Sequence, residues 1–170
     1  MWRKLLIVPL LVIFTGAMAV AAENQWVLAS GTDNTGHTYA QMHIQQGKYV
    51  LNLGCDERNQ NTQKLDLKLY VPSLPNLFAQ DDATAQLGLQ FHLPGGSLFK
   101  EVAPSWYFDG DGDDAWVGNV PVSASMLNAF AAARKVDVLN PNGELVLRFS
   151  AQGTAAAVDA IRSQCGIGLT

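Results

Sequence analysis

The sequence predicts a mainly β fold: an antiparallel β-sandwich-like single domain with one short helix and a C-terminal helix packed on the sheet. Three observations predict it. Several segments alternate apolar and polar residues with the period of two of a half-buried strand, most clearly Leu65–Val71. Turn signals such as Gln46-Gly47 separate these segments. Only two segments, both after residue 124, combine a helical spacing of apolar residues with a capping residue, and this balance favours a layered antiparallel architecture.

The first part of the chain predicts strands alone. Trp26–Ala29 is a short apolar segment, and Thr38–Gln45 alternates apolar and polar residues. A Gln-Gly turn then leads into Tyr49–Leu53, so the two segments predict a hairpin over residues 38–53. Leu65–Val71 follows as a further strand, with its leucines on one face.

The middle of the chain predicts a loop followed by three strands. Pro72–Ala85 contains two prolines and is expected to be a long loop. Gln86–Leu93 predicts a strand that ends at a Pro-Gly-Gly turn. Val102–Phe108 and Ala115–Val122 predict two more strands, on either side of an aspartate-rich stretch.

The last part of the chain predicts a hairpin between two helices. Ser125 is expected to cap a helix over Met126–Arg134, and Thr154 to cap a helix over Ala155–Cys165. An Asn-Pro-Asn-Gly turn joins the two strands of the predicted hairpin, which are Lys135–Leu139 and Glu144–Phe149.

The first 22 residues, Met1–Ala22, have the layout of a secretory signal peptide. Arg3 and Lys4 precede the apolar run Leu5–Phe14, and small residues suited to a signal peptidase follow. The apolar run has about half the length that a membrane-spanning helix needs. We therefore expect cleavage before residue 23, one domain over 23–170, a periplasmic or secreted location, and no integral membrane segment in the mature chain; a retained anchor is the alternative.

The charge balance argues against nucleic acid and anionic membranes as partners. The chain has 11 lysines and arginines against 15 aspartates and glutamates, a formal net charge of −4. Loss of Arg3 and Lys4 with the signal peptide makes the mature chain still more acidic. The longest later basic run is Arg134-Lys135, so nothing can neutralise a track of phosphates.

The two cysteines, Cys55 and Cys165, predict one disulfide, because an even pair in an exported chain is typically oxidised. Cys55 is expected just after the strand Tyr49–Leu53, so the bridge would tie the C-terminal helix to that strand. Closing a loop of about 110 residues is worth roughly 4–5 kcal/mol in the chain-entropy model. The alternative is one free nucleophilic cysteine with an unpaired partner.

The stretch FDGDGDDAW, residues 108–116, is the strongest candidate for a site. Its four aspartates are Asp109, Asp111, Asp113 and Asp114. The first three fit the early ligand positions of an EF-hand, but Asp114 replaces the required glycine and Val120 stands where the bidentate glutamate belongs.

The same stretch also matches one copy of a glycine-rich calcium repeat, a motif in which stacked copies form the sites. Three interpretations therefore stay open: a solvated hairpin tip, a calcium site, or an acidic contact surface. The first is favoured, because glycine and aspartate suit tight turns.

The remaining residues predict no catalytic site. His37, His43 and His92 lack a metal-ligand spacing, and the chain contains no nucleophile elbow and no phosphate-binding loop. We therefore expect no enzymatic activity and no cofactor. Calcium at the aspartate-rich stretch is the alternative. If exposed together, three aromatic residues would mark a binding face: Trp106, Tyr107 and Trp116.

A set of landmarks, in chain order, carries a resemblance to known families: Trp26, Asp33, Cys55, Phe108-Asp109-Gly110, Trp116, Phe149, Gly153, Ala157, Ile161-Arg162 and Cys165. In this order the chain resembles the periplasmic accessory proteins associated with type VI secretion and, more loosely, the invasion-associated locus B proteins. The resemblance implies a late strand, a glycine and a terminal helix whose cysteine bridges back to an earlier strand. It implies no catalytic residues.

We therefore expect a non-enzymatic exported protein that binds a partner protein or a cell-envelope component, as an accessory, immunity or inhibitor protein. In the inhibitor version the acidic stretch would enter a basic active site. The alternative is a calcium-binding module or a hydrolase that uses Asp109–Asp114.

Overall fold

The computed structural model describes residues 24–56, 64–70, 84–102, 106–112 and 114–165. The predicted signal peptide and Asp113 lie outside the described residues, as does most of the loop predicted at Pro72–Ala85.

Strands dominate the described part of the chain, as predicted. In chain order the elements are β1 (Val27–Thr32), β2 (Thr38–Gln46), β3 (Tyr49–Asp56), β4 (Lys64–Tyr70), β5 (Thr84–Ala85), β6 (Gly88–His92), a 3-10 helix (Pro94–Gly96), β7 (Leu98–Val102), β8 (Trp106–Asp109), β9 (Ala115–Pro121), α1 (Ala124–Ala132), β10 (Lys135–Leu139), β11 (Leu145–Ser150) and α2 (Thr154–Gln164).

The strands form two antiparallel sheets. The large sheet has the order β1-β2-β3-β4-β9-β8-β5, and the small sheet has the order β11-β10-β6-β7. Strands that are neighbours in the chain form most of the pairings, and the pairings of β4 with β9 and of β5 with β8 are the two longer-range steps in the large sheet. The predicted mainly β, β-sandwich-like domain with a short helix and a C-terminal helix is thereby confirmed.

Strand alternation gives the large sheet one buried face, which we call its inner face. A row of register partners crosses five strands on this face. The row consists of Ile44, Leu51, Leu69, Trp116 and Phe108, all buried. Each such side chain contributes about 1.5–3 kcal/mol by leaving water, so this row is a main source of the stability of the sheet.

The two helices begin one or two residues earlier than predicted. Ser123, not Ser125, caps α1, since its hydroxyl accepts a hydrogen bond from the backbone N–H of Met126 at 3.0 Å. Gly153, in a left-handed conformation with φ of 90°, precedes α2. Thr154 is the first helical residue and donates its hydroxyl to the Ala151 carbonyl instead of capping the helix. Among the described residues, no helix is both long and apolar enough to cross a membrane.

The helices and both sheets share one core. Phe130 of α1 packs edge-on against Trp26, with ring centroids 4.9 Å apart, and against Phe91 of the small sheet at 5.2 Å. Arg162 of α2 donates to the side chain of Asn128 at 2.8 Å and joins the two helices. The phenylalanine of α1 therefore links the start of the large sheet to the small sheet.

One prediction for the middle of the chain is wrong. Val102–Phe108 was expected to be one strand, but Val102 ends β7 of the small sheet and Trp106 begins β8 of the large sheet. The Pro-Gly-Gly turn is a 3-10 turn, with φ of 81° at Gly95 and 85° at Gly96. It returns the chain from β6 into β7, so the strand at 98–102 pairs locally before the chain changes sheet.

Candidate functional site

The predicted disulfide between Cys55 and Cys165 is confirmed, with Cα atoms 6.0 Å apart. Both residues are buried, and the described part of the chain has no free cysteine, so the nucleophilic alternative fails. Cys55 lies inside β3, facing Ala40 of β2, and not after the strand as predicted. The bridge therefore fixes the end of α2 against the inner face of the large sheet.

The aspartate-rich stretch forms the tip of a hairpin. β8 ends at Asp109, β9 begins at Ala115, and one Asp109 carboxylate oxygen accepts a hydrogen bond from the backbone N–H of Gly112 at 2.9 Å. A Cβ at Gly112 would lie 2.7 Å from this carboxylate, so a larger residue there would displace the Asp109 side chain from its hydrogen bond. Asp114 adopts a left-handed φ of 49°. The turn is thus held by its own groups.

The described carboxylates of this tip do not converge on one point. Asp111 and Asp114 are exposed, and Asp113 lies outside the described residues. Across the described ranges, no group of three or more acidic, histidine or cysteine side chains is arranged to hold a metal ion. What the described part of the tip presents is negative charge directed at solvent.

The three predicted aromatic residues do not share a face. Trp106 and Trp116 are buried, at 0% and 1% exposure, whereas Tyr107 is 44% exposed. The reason is strand alternation: Trp106 and Phe108 point to the inner face, so Tyr107 between them points away from it. Two of the three therefore belong to the core, with Phe108 and Trp116 in ring contact at 5.8 Å.

One edge of the large sheet is formed by β1, which sequence reasoning did not single out. β1 is paired with β2 along its whole length on one side. Five of its six residues are exposed, and its sequence, VLASGT, contains neither charge nor proline. Leu28 is 38% exposed.

The other three edges of the described sheets are protected in ways that natural proteins commonly use. β5 has only two residues, β7 carries Lys100 and Glu101, and β11 carries Arg148. β1 combines length, exposure and the absence of charge, so among the edges of the described sheets it is the one suited to pairing with another strand.

Both ends of β1 are fixed. Before its start, the backbone N–H of Trp26 donates to the Gln152 carbonyl at 2.8 Å, and its indole N–H donates to the Ser150 carbonyl at 2.8 Å. After its end, one Asp33 carboxylate oxygen accepts from the N–H of Thr35 at 2.8 Å and of His37 at 3.0 Å. The Thr35 hydroxyl bonds the same carboxylate and lowers the pKa of Asp33.

The small sheet carries a charged network. Arg148 donates two hydrogen bonds to the Asp137 carboxylate, and His92 contacts the same carboxylate through Nε2 at 2.7 Å. Asp137 is 2% exposed. Burial alone would raise the pKa of Asp137, but the hydrogen bonds from Arg148 and His92 hold it below its ordinary value.

A signal for this network is present in the sequence. Asp137 stands between Val136 and Val138 in a predicted hairpin strand, and the turn that follows sets Arg148 directly opposite. An acid flanked by β-branched residues across from an arginine indicates a paired, partly buried carboxylate.

A cleft of about 220 Å³ lies beside this network, where β6, β7 and β10 meet the turn at 140–143. Its lining includes Gln86, Gly88, Lys100, Glu101, Leu139 and Asn140. The side chain of Asn140 is fully engaged within the turn, since its oxygen accepts from the N–H groups of Asn142 and Glu144.

No family model matches this chain, and no curated protein or solved structure matches it either.

Proposed function

We propose that this protein is exported to the periplasm, has no enzymatic activity, and binds an envelope or secretion-system protein by accepting one of its strands at β1. A disulfide of this kind persists in an oxidising compartment, and the signal-peptide layout of the first 22 residues agrees with export. The likeness of the landmarks to type VI accessory proteins supports an accessory role.

The observation that carries the proposal is the open β1 edge. An exposed edge offers a row of unpaired N–H and C=O groups, and an extended peptide that adds a strand satisfies them. Binding is favoured further because β1 is already held at Trp26 and at the Asp33 turn. Because β1 is already ordered, it loses little conformational entropy on binding, and this lowers the free-energy cost of association.

The occupant that suits this edge is an extended, neutral or basic segment of another protein. β1 has no charged side chain that could repel or attract a charged partner segment. The whole chain, however, carries a net negative charge. The net field therefore attracts a basic segment and disfavours an acidic one. If the protein is instead an inhibitor whose acidic tip enters a basic active site, the same negative field would attract that active site.

The test compares two lysine substitutions in the full chain. Ala29→Lys places a charge on the β1 edge, where it should block strand addition. Gln46→Lys adds the same charge at an exposed position of β2, away from the edge. A photoreactive side chain at Ser30 captures the partner in the periplasm, and mass spectrometry identifies the cross-linked residues.

The expected result is cross-linking to consecutive residues of one envelope protein, reduced at least tenfold by Ala29→Lys and unchanged by Gln46→Lys. A synthetic peptide with the cross-linked sequence should bind the purified protein with the same dependence. The proposal is contradicted if no cross-links form, or if Ala29→Lys does not reduce cross-linking. Cross-links from Ser30 to β1 of another copy would instead assign the edge to self-association.

A further inference from the structure

A tyrosine of β2 lies across the edge strand β1 at Gly31. Tyr39 is the register partner of Gly31, and its neighbour Ala40 is buried on the inner face, so Tyr39 and Gly31 lie on the opposite, outer side of the large sheet. A Cβ at Gly31 would lie 3.3 Å from the Tyr39 hydroxyl and 3.5 Å from its Cε1 atom. The hydroxyl is the far end of the side chain, so the ring extends from β2 over the backbone of β1, towards the open edge.

A fixed negative charge follows at the same end of β1. Asp33 is the residue after the last one of β1, and its Oδ1 atom accepts hydrogen bonds from the backbone N–H groups of Thr35 and His37. Hydrogen bonds from the Thr35 hydroxyl and from these N–H groups lower the pKa of Asp33. Its Oδ2 atom lies 3.9 Å from Nδ1 of His37, beyond hydrogen-bonding distance. The Asp33 side chain is 48% exposed, so a cation on a bound strand can reach the carboxylate.

The inner side of β1 offers an apolar contact instead. Leu28 is 38% exposed, and its register partner Met42 is buried on the inner face, so Leu28 extends the apolar surface of that face to the edge. Leu28 and Gly31 are three residues apart, and side chains three apart in a strand leave it on opposite sides. β1 therefore offers an apolar side chain on one side, and on the other a tyrosine ring with Asp33 two residues further along.

We propose that the strand accepted by β1 carries a lysine or arginine on the outer side, opposite Gly31, and an apolar residue on the inner side, opposite Leu28. This inference rests on the proposed function and narrows the partner from any neutral or basic segment to one sequence pattern. Residues that lie opposite two positions three apart are themselves three apart. An antiparallel partner segment therefore has the pattern basic-x-x-apolar, and a parallel one has the pattern apolar-x-x-basic.

A long cationic side chain suits the outer side for two reasons. Neighbouring strands are about 4.8 Å apart, and the Tyr39 ring lies over β1, so a side chain of the new strand must reach back across one strand to contact it. Lysine and arginine have this length, and the face of an aromatic ring attracts their charge. The carboxylate of Asp33 attracts the same cation and repels an acidic residue. On the inner side, an apolar residue opposite Leu28 removes apolar surface of both side chains from water.

The first test is selection of short random peptides, displayed on phage, against the purified full mature chain. Peptides whose binding is reduced at least tenfold by Ala29→Lys are kept, because that substitution blocks the β1 edge. The selected sequences should share a lysine or arginine three residues from a leucine, isoleucine, valine or phenylalanine.

A double-mutant cycle then assigns the contacts on the outer side. One selected peptide, and its variant with methionine in place of the basic residue, are titrated by fluorescence anisotropy with the wild type, Tyr39→Leu and Asp33→Asn. Tyr107→Leu and Asp111→Asn, at exposed positions away from β1, are the matched controls. The melting curve of each variant shows whether it is folded, and if Tyr39→Leu does not fold, Asp33→Asn decides.

The affinity for the parent peptide should fall at least fivefold with Tyr39→Leu and with Asp33→Asn, whereas the affinity for the methionine peptide should fall less than twofold with either. The two controls should leave both affinities unchanged. Leu28→Thr should weaken both peptides alike, because Leu28 contacts the apolar residue on the other side of β1.

Two outcomes overturn this inference and leave strand addition at β1 intact. One is a set of peptides that are sensitive to Ala29→Lys but share no basic residue at this spacing. The other is an equal loss of affinity for the parent and methionine peptides with Tyr39→Leu and Asp33→Asn. A library that yields no peptide sensitive to Ala29→Lys overturns strand addition itself, and with it both this inference and the proposed function.

Discussion

Asp137 and Arg148 face each other across β10 and β11, joined by two hydrogen bonds of 2.7 and 2.8 Å from the guanidinium to the carboxylate. A carboxylate this far from water needs such partners to remain charged. His92 on β6 contacts the same carboxylate at 2.7 Å. One buried acid therefore connects three of the four strands of the small sheet.

Removing Arg148 should destabilise the protein by about 2 kcal/mol, because a buried charged acceptor then loses its strongest donor. The half-exposed guanidinium limits the effect, and the remaining contact with His92 offsets part of it. Urea unfolding of Arg148→Met should show a lower midpoint with an unchanged slope.

A double variant distinguishes the net contribution of the Asp137–Arg148 pair to stability from the cost of leaving one buried charge unpaired. Asp137→Leu combined with Arg148→Met removes both charges, and its stability should lie within about 1 kcal/mol of the wild type. The interpretation of Asp137 as a carboxylate that needs its partner is refuted if Arg148→Met alone unfolds at the wild-type midpoint.

Acid should weaken the fold through the same residue. Burial would raise the pKa of Asp137, but the hydrogen bonds from Arg148 and His92 lower it below its ordinary value. A carboxyl with a lowered folded pKa contributes stability that is complete above its unfolded pKa and lost as pH falls through the folded pKa. The melting temperature of the wild type should therefore decrease below about pH 4.

The Asp137→Leu/Arg148→Met variant is the control for this acid loss. It should lose less stability between pH 4 and pH 2, as followed by scanning calorimetry. Some loss should remain, because hydrogen bonds from Thr35 and His37 also lower the pKa of Asp33. Equal acid sensitivity in both proteins would show that Asp137 does not contribute.

The sequence predicts the elements whose pattern is local. The hairpin of β2 and β3, the hairpin of β10 and β11, the terminal helix and the Cys55–Cys165 bridge all follow from alternation, turn residues or cysteine number. β7 was missed because it begins only one residue after the Pro-Gly-Gly turn, and five residues at an edge give too short a pattern to recognise.

The candidate sites were harder to predict, because they depend on which strands are neighbours. Nothing local to Val27–Thr32 says that it is the last strand of the large sheet. The cleft needs Gly88, Lys100 and Leu139 from three strands, brought together only by sheet order. The burial of Trp106 and Trp116 likewise follows from which face of the large sheet is its inner face.

The corrected cap of α1 gives a paired prediction. Ser123→Ala should cost about 1 kcal/mol, since the N–H of Met126 loses its acceptor. Ser125→Ala should change stability by less than about 0.5 kcal/mol, because among the described residues the hydroxyl of Ser125 bonds only that of Ser123. Thermal or urea unfolding of both variants measures the difference, and a larger loss for Ser125→Ala would place the cap where the sequence suggested.

The disulfide should be a large part of the stability. Replacing both cysteines by alanine frees a loop of about 110 residues, which the chain-entropy model values at roughly 4–5 kcal/mol. Cys165→Ala alone should cost nearly as much as the double variant, because either change removes the same bond. Urea unfolding measures this, and costs that simply add would contradict a bridge between these two residues.

The hairpin tip should behave as a turn and not as a calcium site. One oxygen of Asp109 already accepts from the Gly112 N–H, so Asp109→Ala should destabilise by about 1 kcal/mol, whereas Asp111→Ala, at an exposed position, should be close to neutral. Calcium at millimolar concentration should produce no binding heat and no rise in melting temperature. Heat release or a raised melting temperature that Asp111→Ala abolishes would instead favour the calcium-binding module.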